Sequence, residues 1–266
     1  MTKIKLGLTL VMFALPLFGQ IALEGPPKIE APKIEVGANP LPLTNPSTIS
    51  MEASAWNIEA CCSNGMPEHP LPASTGWSFN FPLDPAQYQP CYDYTHRGQC
   101  PWVGYVVTDT SIRLTQSETI NIVFQVVSSG AEFDSATQSF NTCDEPKADF
   151  SIMIEHQHDR ALSQDGYRWW AFANRYTFFN GSQDTGQITI SVPLTPENWI
   201  TVNGEPATQT TPDATSGIIP YNYFVNTLAN IGDVGITFGG GCFAGHGAYL
   251  DQGTATFTLI SYTVTK

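Results

Sequence analysis

Charge is what this sequence has least of. Only 13% of its 266 residues are Asp, Glu, Lys or Arg, and 11 basic against 24 acidic side chains leave a net charge of −13. A chain of that sign repels nucleic acid phosphates and anionic lipid surfaces, so neither is expected as a partner. Long apolar runs are missing after Phe18. No later segment therefore approaches the ~20 apolar residues that a membrane-spanning helix needs, and membrane insertion is not expected. No Gly-Lys-Ser/Thr follows a glycine cluster, which excludes a phosphate loop. No Gly-x-Ser-x-Gly elbow marks a serine nucleophile. The cysteines lack the paired Cys-x-x-Cys spacing of zinc sites, so no metal is expected on them.

What is present begins with a leader. Lys3 and Lys5 precede the apolar run Leu6–Phe18, and Gly19 offers a small residue for cleavage, the pattern of a signal peptide over residues 1–19. No cysteine follows closely, which argues against a lipid anchor. Residues 20–49 contain Glu24–Pro46, six of whose residues are proline, with Pro27-Lys28-Ile29-Glu30 echoed in Pro32-Lys33-Ile34-Glu35. Such a segment favours extended, semi-rigid backbone and cannot bury a core, so it reads as a spacer. Export also fits the six cysteines, Cys61, Cys62, Cys91, Cys100, Cys143 and Cys242. An even count behind a leader reads first as disulfides. Cys91–Cys100 is the best single pairing, because it would staple a stretch with no regular structure of its own. The expected location is outside the cell or in its envelope.

With 42% apolar and 12% aromatic residues, the rest can build a large core, and residues 50–266 read as one domain whose first part, 50–101, is a disulfide-stapled lead-in. Strands are expected near Ala55–Ile58, Trp77–Phe81, Trp102–Thr108 and Ile112–Val127, with a turn at Gln116–Glu118. Ile120, Ile122, Phe124 and Val126 alternate with Asn121, Val123, Gln125 and Val127, the pattern of a strand with one face firmly buried. A polar connection, Gly130–Lys147, leads to a strand carrying Phe150, Ile152 and Ile154 on one face. Tyr167–Phe179 (YRWWAFANRYTFF) reads as a long aromatic strand, and Asn180-Gly181 as a hairpin turn into Gln187–Val192. A short strand is expected at Trp199–Val202. Tyr221–Ile231 is the one helical segment, with Phe224, Leu228 and Ile231 at helical spacing and Gly232 placed to end it. Short Ile236–Phe238 and long Thr254–Val264 are strands flanking a corner that holds Gly239, Gly240, Gly241, Gly245, Gly247 and Gly253. So many glycines imply positive φ angles, or backbone too close to a neighbour for a Cβ. The pattern is all-β: a two-sheet antiparallel β-sandwich with one short helix.

From Trp102 to the C-terminus the chain resembles the galactose-binding-like jelly rolls, the fold of many non-catalytic carbohydrate-binding modules. The resemblance lies in Phe150–Ile154, YRWWAFANRYTFF, ITISVPLTPENWITVNG, YNYFVNTLANIGDVGITFGGG and the final strand. It implies a jelly-roll sandwich closed by a buried terminal strand, Thr254–Val264, and binding of glycans without catalysis. Fold alone does not assign function.

Three constellations could carry chemistry. Tyr167, Arg168, Trp169 and Trp170 are the densest aromatic group. A sugar ring offers a C–H face to an indole and hydroxyls to nearby polar groups. Adjacent strand residues point to opposite faces, so one of Trp169 and Trp170 belongs to the core and the other to the outer face. His246, Tyr249 and Asp251 on the glycine corner are candidates to bond sugar hydroxyls beside that indole. Glu155, His156, His158 and Asp159 place two imidazoles on one strand face, but the setting reads as a hairpin end in water.

The expected function is a secreted, non-catalytic protein that binds a polysaccharide or glycan. A polysaccharide hydrolase or lyase using Glu155, Asp159 or Asp251, and a structural cell-surface protein, are the alternatives. No cofactor is called for, a structural calcium on loop carboxylates is left open, and oligomeric state is not set by these patterns.

Overall fold

The structure is a computed structural model that describes residues 49–59, 69–83, 103–135, 148–156, 169–201, 204–214, 216–239 and 247–266. The leader, the spacer, all six cysteines, Arg168, His158, Asp159 and His246 lie outside the described residues, as do 240–246 of the glycine corner. Of two compact units, Met1–Leu43 and Thr44–Lys266, the described residues belong to the second.

The described strands form two antiparallel sheets. The seven-stranded sheet runs β1 (Asn57–Glu59), β4 (Tyr105–Ile112), β12 (Ile231–Gly239), β6 (Asp149–His156), β7 (Trp169–Phe172) and β11 (Trp199–Thr201), with β8 (Tyr176–Thr177) also beside β6. The six-stranded sheet runs β10 (Ile188–Pro193), β5 (Thr119–Ser135), β13 (Ala248–Thr265), β3 (Gly76–Asn80) and β2 (Leu71–Ala73), with β9 (Gly181–Asp184) beside β5. One helix, α1 (Pro220–Ala229), enters β12 directly.

The sheets pack through phenylalanines that alternate inward. Ile120, Ile122, Phe124 and Val126 of β5 are all fully buried, as the alternation predicts. Across the interface Phe124 meets Phe150 edge-on at 4.9 Å, and Phe238 meets Phe257 edge-on at 5.8 Å. Such pairs add about 0.5–1.5 kcal/mol each beyond the area they bury. At one end Trp56 lies 5.1 Å from Trp77 and 5.6 Å from Tyr262, and its indole N–H donates to the Ser50 carbonyl. The helix begins at Pro220, whose missing N–H costs nothing at a first helical position, and buries Phe224 and Leu228. Two antiparallel sheets sharing this aromatic core make a β-sandwich.

Several boundaries differ from expectation. The segment Gly130–Ser135 is not a connection but the end of β5, held by β13 through a ladder that includes Phe133–Leu250 and Ser135–Ala248. The aromatic run Tyr167–Phe179 is not one strand. The Ser151 hydroxyl donates to the Phe172 carbonyl, the Ala173 N–H goes to Asn198, and the chain rejoins β6 only at Tyr176. Asn180-Gly181 is not a hairpin turn either. There the chain leaves the seven-stranded sheet for the other, and β9 and β10 both pair with β5; the Asn180 side-chain oxygen accepts from the Phe133 N–H at 2.9 Å. Helix α1 stops at Asn230 rather than Gly232, because Ile231 already pairs with β4 and β6, and Gly232 falls where their register shifts. Both strands around the glycine corner are longer than expected, so only residues 240–247 separate them. The terminal strand is central in its sheet, between β5 and β3.

Candidate functional site on the seven-stranded sheet

Strand β12 positions the site. Val234, Ile236 and Phe238 enter the core, which leaves Asp233, Gly235 and Thr237 on the alternate face. In β6, Phe150, Ile152 and Ile154 are core, leaving Ser151, Met153 and Glu155 on that face. Register then aligns a row. Asp233 stands opposite Asp109 of β4 on one side and Glu155 on the other, and Glu155 stands opposite Trp169 of β7. The next row is apolar, with Gly235 between Val107 and Met153, and Tyr105, Val107 and Met153 form a small cluster separate from the main core.

A Cβ on Gly235 would lie 2.2 Å from the Val106 carbonyl oxygen, so the backbone itself is the floor between the two rows. The acidic row passes from solvent into shelter: Asp109 is exposed, whereas Asp233 and Glu155 are only 6% and 4% exposed. Like charges directly opposite each other in a sheet destabilise it, and burial of carboxylates adds to the cost. None of the three stands isolated from other groups. Carboxylates in register break a local rule of an otherwise regular sandwich, and such breaks are expected at functional or strained positions. Carboxylates accept hydrogen bonds strongly, above all from hydroxyls in a sheltered place. No group of three or more His, Cys, Asp or Glu among the described residues is arranged to hold a metal ion.

Of the aromatic pair, Trp170 is fully buried and cannot stack on a ligand. Its ring lies 5.1 Å from Phe224 of α1, which also packs 6.0 Å from Trp199. The indole fastens the helix to the sheet. Trp169 takes the neighbouring register position, in the acidic row.

Tyr249 and Asp251 sit elsewhere. Tyr249 pairs with Asp134 at the far end of β5 and is buried, with its hydroxyl bonded to the Asp134 carboxylate. Burial, together with the nearby Asp251 carboxylate, pushes the Asp134 pKa up to about 6, although the Ser135 N–H donates to it at 2.7 Å. Asp251 itself is exposed. The rim therefore holds a carboxyl pair, one sheltered and one open.

Trp169 is level with Asp233, whereas the corner starts after Gly239, six residues further along β12. At about 3.3 Å per residue that is roughly 20 Å. His156 is not a free hairpin end: its Nε2 is 3.1 Å from the Asn226 side-chain nitrogen, and its ring lies 5.8 Å from Tyr223. Asp109 and Asp233 escaped sequence reading. The one available signal was Asp233 interrupting the apolar run Ile231–Phe238 at the parity opposite to Val234, Ile236 and Phe238.

No protein-family model matches the sequence, and no curated protein matches it. Solved structures that resemble the fold include Xylanase10C from Cellvibrio japonicus, a mutant in complex with xylopentaose. That match has 13% identity and a TM-score of 0.36, over 82% of this chain and 28% of that one. The xylan-binding module CBM15 matches with 13% identity and a TM-score of 0.32, over 80% of this chain and 95% of that one. This chain thus spans under a third of the xylanase's length. The superpositions are loose, and the sandwich architecture rests on strand order and the shared core.

Proposed function

We propose that this protein is an exported, non-catalytic β-sandwich that binds carbohydrate. The observation that carries the reading is the in-register row Asp109, Asp233, Glu155 and Trp169 on the outer face of the seven-stranded sheet. A tryptophan at one end of the row is the residue type that stacks on the apolar face of a sugar, and carboxylates accept from its hydroxyls. Arg168 adjoins the row in sequence. Asp251 belongs to the rim, where it would serve a separate contact, and His246 is proposed for that contact on sequence alone. The leader Met1–Gly19, the spacer and a Cys91–Cys100 bridge fit an extracellular or envelope address.

Calorimetric titration with soluble neutral oligosaccharides tests the reading. Trp169→Ala and Asp233→Asn should each weaken binding at least about tenfold, or about 1.4 kcal/mol. Unchanged affinity in both variants rejects the site.

A second reading, hydrolysis of the bound glycan, is favoured by the direct opposition of Asp233 and Glu155. Glycosidases work with a pair of carboxyl groups flanking the scissile bond, and directly opposed residues on one sheet face bring such a pair close together. Product release from natural glycans, lost by about 100-fold or more in both Glu155→Gln and Asp233→Asn, would establish it. Absence of turnover in the wild type leaves the binding function alone.

A further inference from the structure

Strand order ends on β1 and β11 in one sheet and on β10 and β2 in the other. A free edge recruits another strand unless something blunts it. β1 has three residues and carries Glu59, and β2 has three with Pro72 at its centre, which has no N–H to offer. β11 is covered by its own chain. The Thr201 N–H donates to the Glu205 carbonyl, the Ala207 N–H donates to the Trp199 carbonyl, and Ile200 pairs with Pro206. β10 has none of these devices. Its ITISVP is six residues long, carries no charge, and keeps its one proline for the last position.

Register shows which backbone groups of β10 face outward. Ile188, Ile190 and Val192 stand opposite Phe124, Ile122 and Ile120 of β5, and Leu194, at the same parity, gives its N–H to the Glu118 carbonyl at 2.9 Å. The even positions therefore hold the ladder to β5. The N–H and C=O groups of Thr189 and Ser191, with the C=O of Pro193, point away from it. No other described residue bonds them. The side chains of Thr189, Ser191 and Pro193 are exposed, while Ile188 and Ile190 are only half-buried where they pack against the core. We infer that this edge pairs with β10 of a second copy of this chain, antiparallel, about a two-fold axis at Ile190.

Self-complementarity selects that occupant. Side chains stay on matching faces only when residues of like parity stand opposite, and an axis at Ile190 is the register that pairs the strand along its whole length. Thr189 then exchanges N–H···O=C bonds with Ser191 of the second copy, twice by symmetry, and the Pro193 carbonyl accepts from the Gln187 N–H. On the core side Ile190 meets Ile190 and Ile188 meets Val192, so the half-open isoleucines leave water. On the outer side hydroxyl meets hydroxyl. Moving the axis to Ser191 sets Pro193 against Thr189 and leaves a carbonyl without a donor. Moving it to Thr189 sets Val192 against Gly186 and Pro193 against Thr185, before the strand begins. Each copy carries a net charge of −13, yet the paired strands hold no charged side chain, so repulsion acts only at range. One strand per copy makes a small interface, and the dimer is therefore weak and concentration-dependent.

Sedimentation equilibrium of the full-length protein between about 1 and 500 μM is the test. The mass should rise towards twice the monomer value. Raising salt from about 0.05 to 0.5 M should strengthen association or leave it unchanged, because screening removes like-charge repulsion. Thr189→Pro removes an N–H that faces the open edge and leaves the β5 ladder whole, so it should weaken the dimer at least about tenfold and keep the melting temperature of the dilute protein. Thr189→Lys/Ser191→Lys, which sets ammonium groups opposite one another across the axis, should weaken it at least as much. Should Thr189→Pro lower the melting temperature, the lysine variant decides alone, since both its positions are exposed. Ile190→Cys should give a covalent dimer on mild oxidation that the wild type does not, because residues facing each other at the axis are within disulfide reach. A monomer throughout the concentration range overturns the inference, as does a dimer that survives the lysine variant or dissociates as salt rises. A dimer that Ile190→Cys fails to cross-link overturns the axis at Ile190. A monomer that instead takes up an unrelated extended peptide along β10 overturns the second copy as occupant.

Discussion

The two sheets obey the same alternation and use their outer faces differently. On the six-stranded sheet, β5 is apolar inward, and outward it mixes Thr119, Asn121 and Gln125 with Val123 and Val127; the Asn121 side chain is hydrogen-bonded to Ser191 and Thr265. On the seven-stranded sheet, β12 and β6 are buried along nearly their whole length on both faces, yet Asp233 and Glu155 are among the buried residues. The first arrangement is stable on its own terms. The second buries Asp233 and Glu155 side by side in register.

The comparison is easiest to break where the packing is heaviest. Trp170→Ala should cost about 3–5 kcal/mol, because an indole wedged against Phe224 is removed and α1 loses its anchor. Urea unfolding measures it, and a loss under about 1 kcal/mol would mean that the helix does not depend on that ring. Next comes Gly235→Ala, expected to cost about 1–3 kcal/mol because the new methyl meets backbone and not a movable side chain. Both substitutions strike the seven-stranded sheet. On the other sheet Asn121→Ala should stay within about 0.5 kcal/mol of wild type, as its hydrogen bonds are exposed and replaceable by water. A larger loss there would erase the contrast.

The rim gives a test by pH. The Asp134 carboxyl is raised to about 6 from 3.8, so between those values the folded protein holds a proton that the unfolded chain has released. Stability therefore falls as pH rises through about 4 to 6, and is highest below it with respect to this group. Asp149, raised to about 6 by burial despite Arg175 at 3.5 Å, contributes in the same direction. Melting temperature should decline over that window in the wild type, and Asp134→Asn should flatten part of the slope. An unchanged slope would mean that the carboxyl pair at the rim does not titrate as its burial implies.

How much of this was legible varies with the reach of the interaction. Ile120, Ile122, Phe124 and Val126 could be read as one buried face because alternation is local, and α1 because Phe224 and Leu228 repeat at helical spacing. The full length of β12 could not, since IGDVGITFG carries glycines and an aspartate that disfavour strands in isolation. It is a strand because β4 and β6 hold it from both sides. Likewise the glycine corner was expected to hold positive φ angles, and Gly253 has φ +78° with its absent Cβ 2.3 Å from the Gly130 oxygen, but that glycine lies inside β13.

Composition and periodicity alone determined an acidic, β-rich chain of two sheets with one helix, because those properties follow from residue type and nearest neighbours along the chain. Which tryptophan is sealed in the core, and that Asp109, Asp233, Glu155 and Trp169 stand side by side while Tyr249 and Asp251 stand apart, was decided by strand register. Register joins residues distant in sequence through backbone hydrogen bonds that carry no side-chain signature, so only the folded sheet could disclose it.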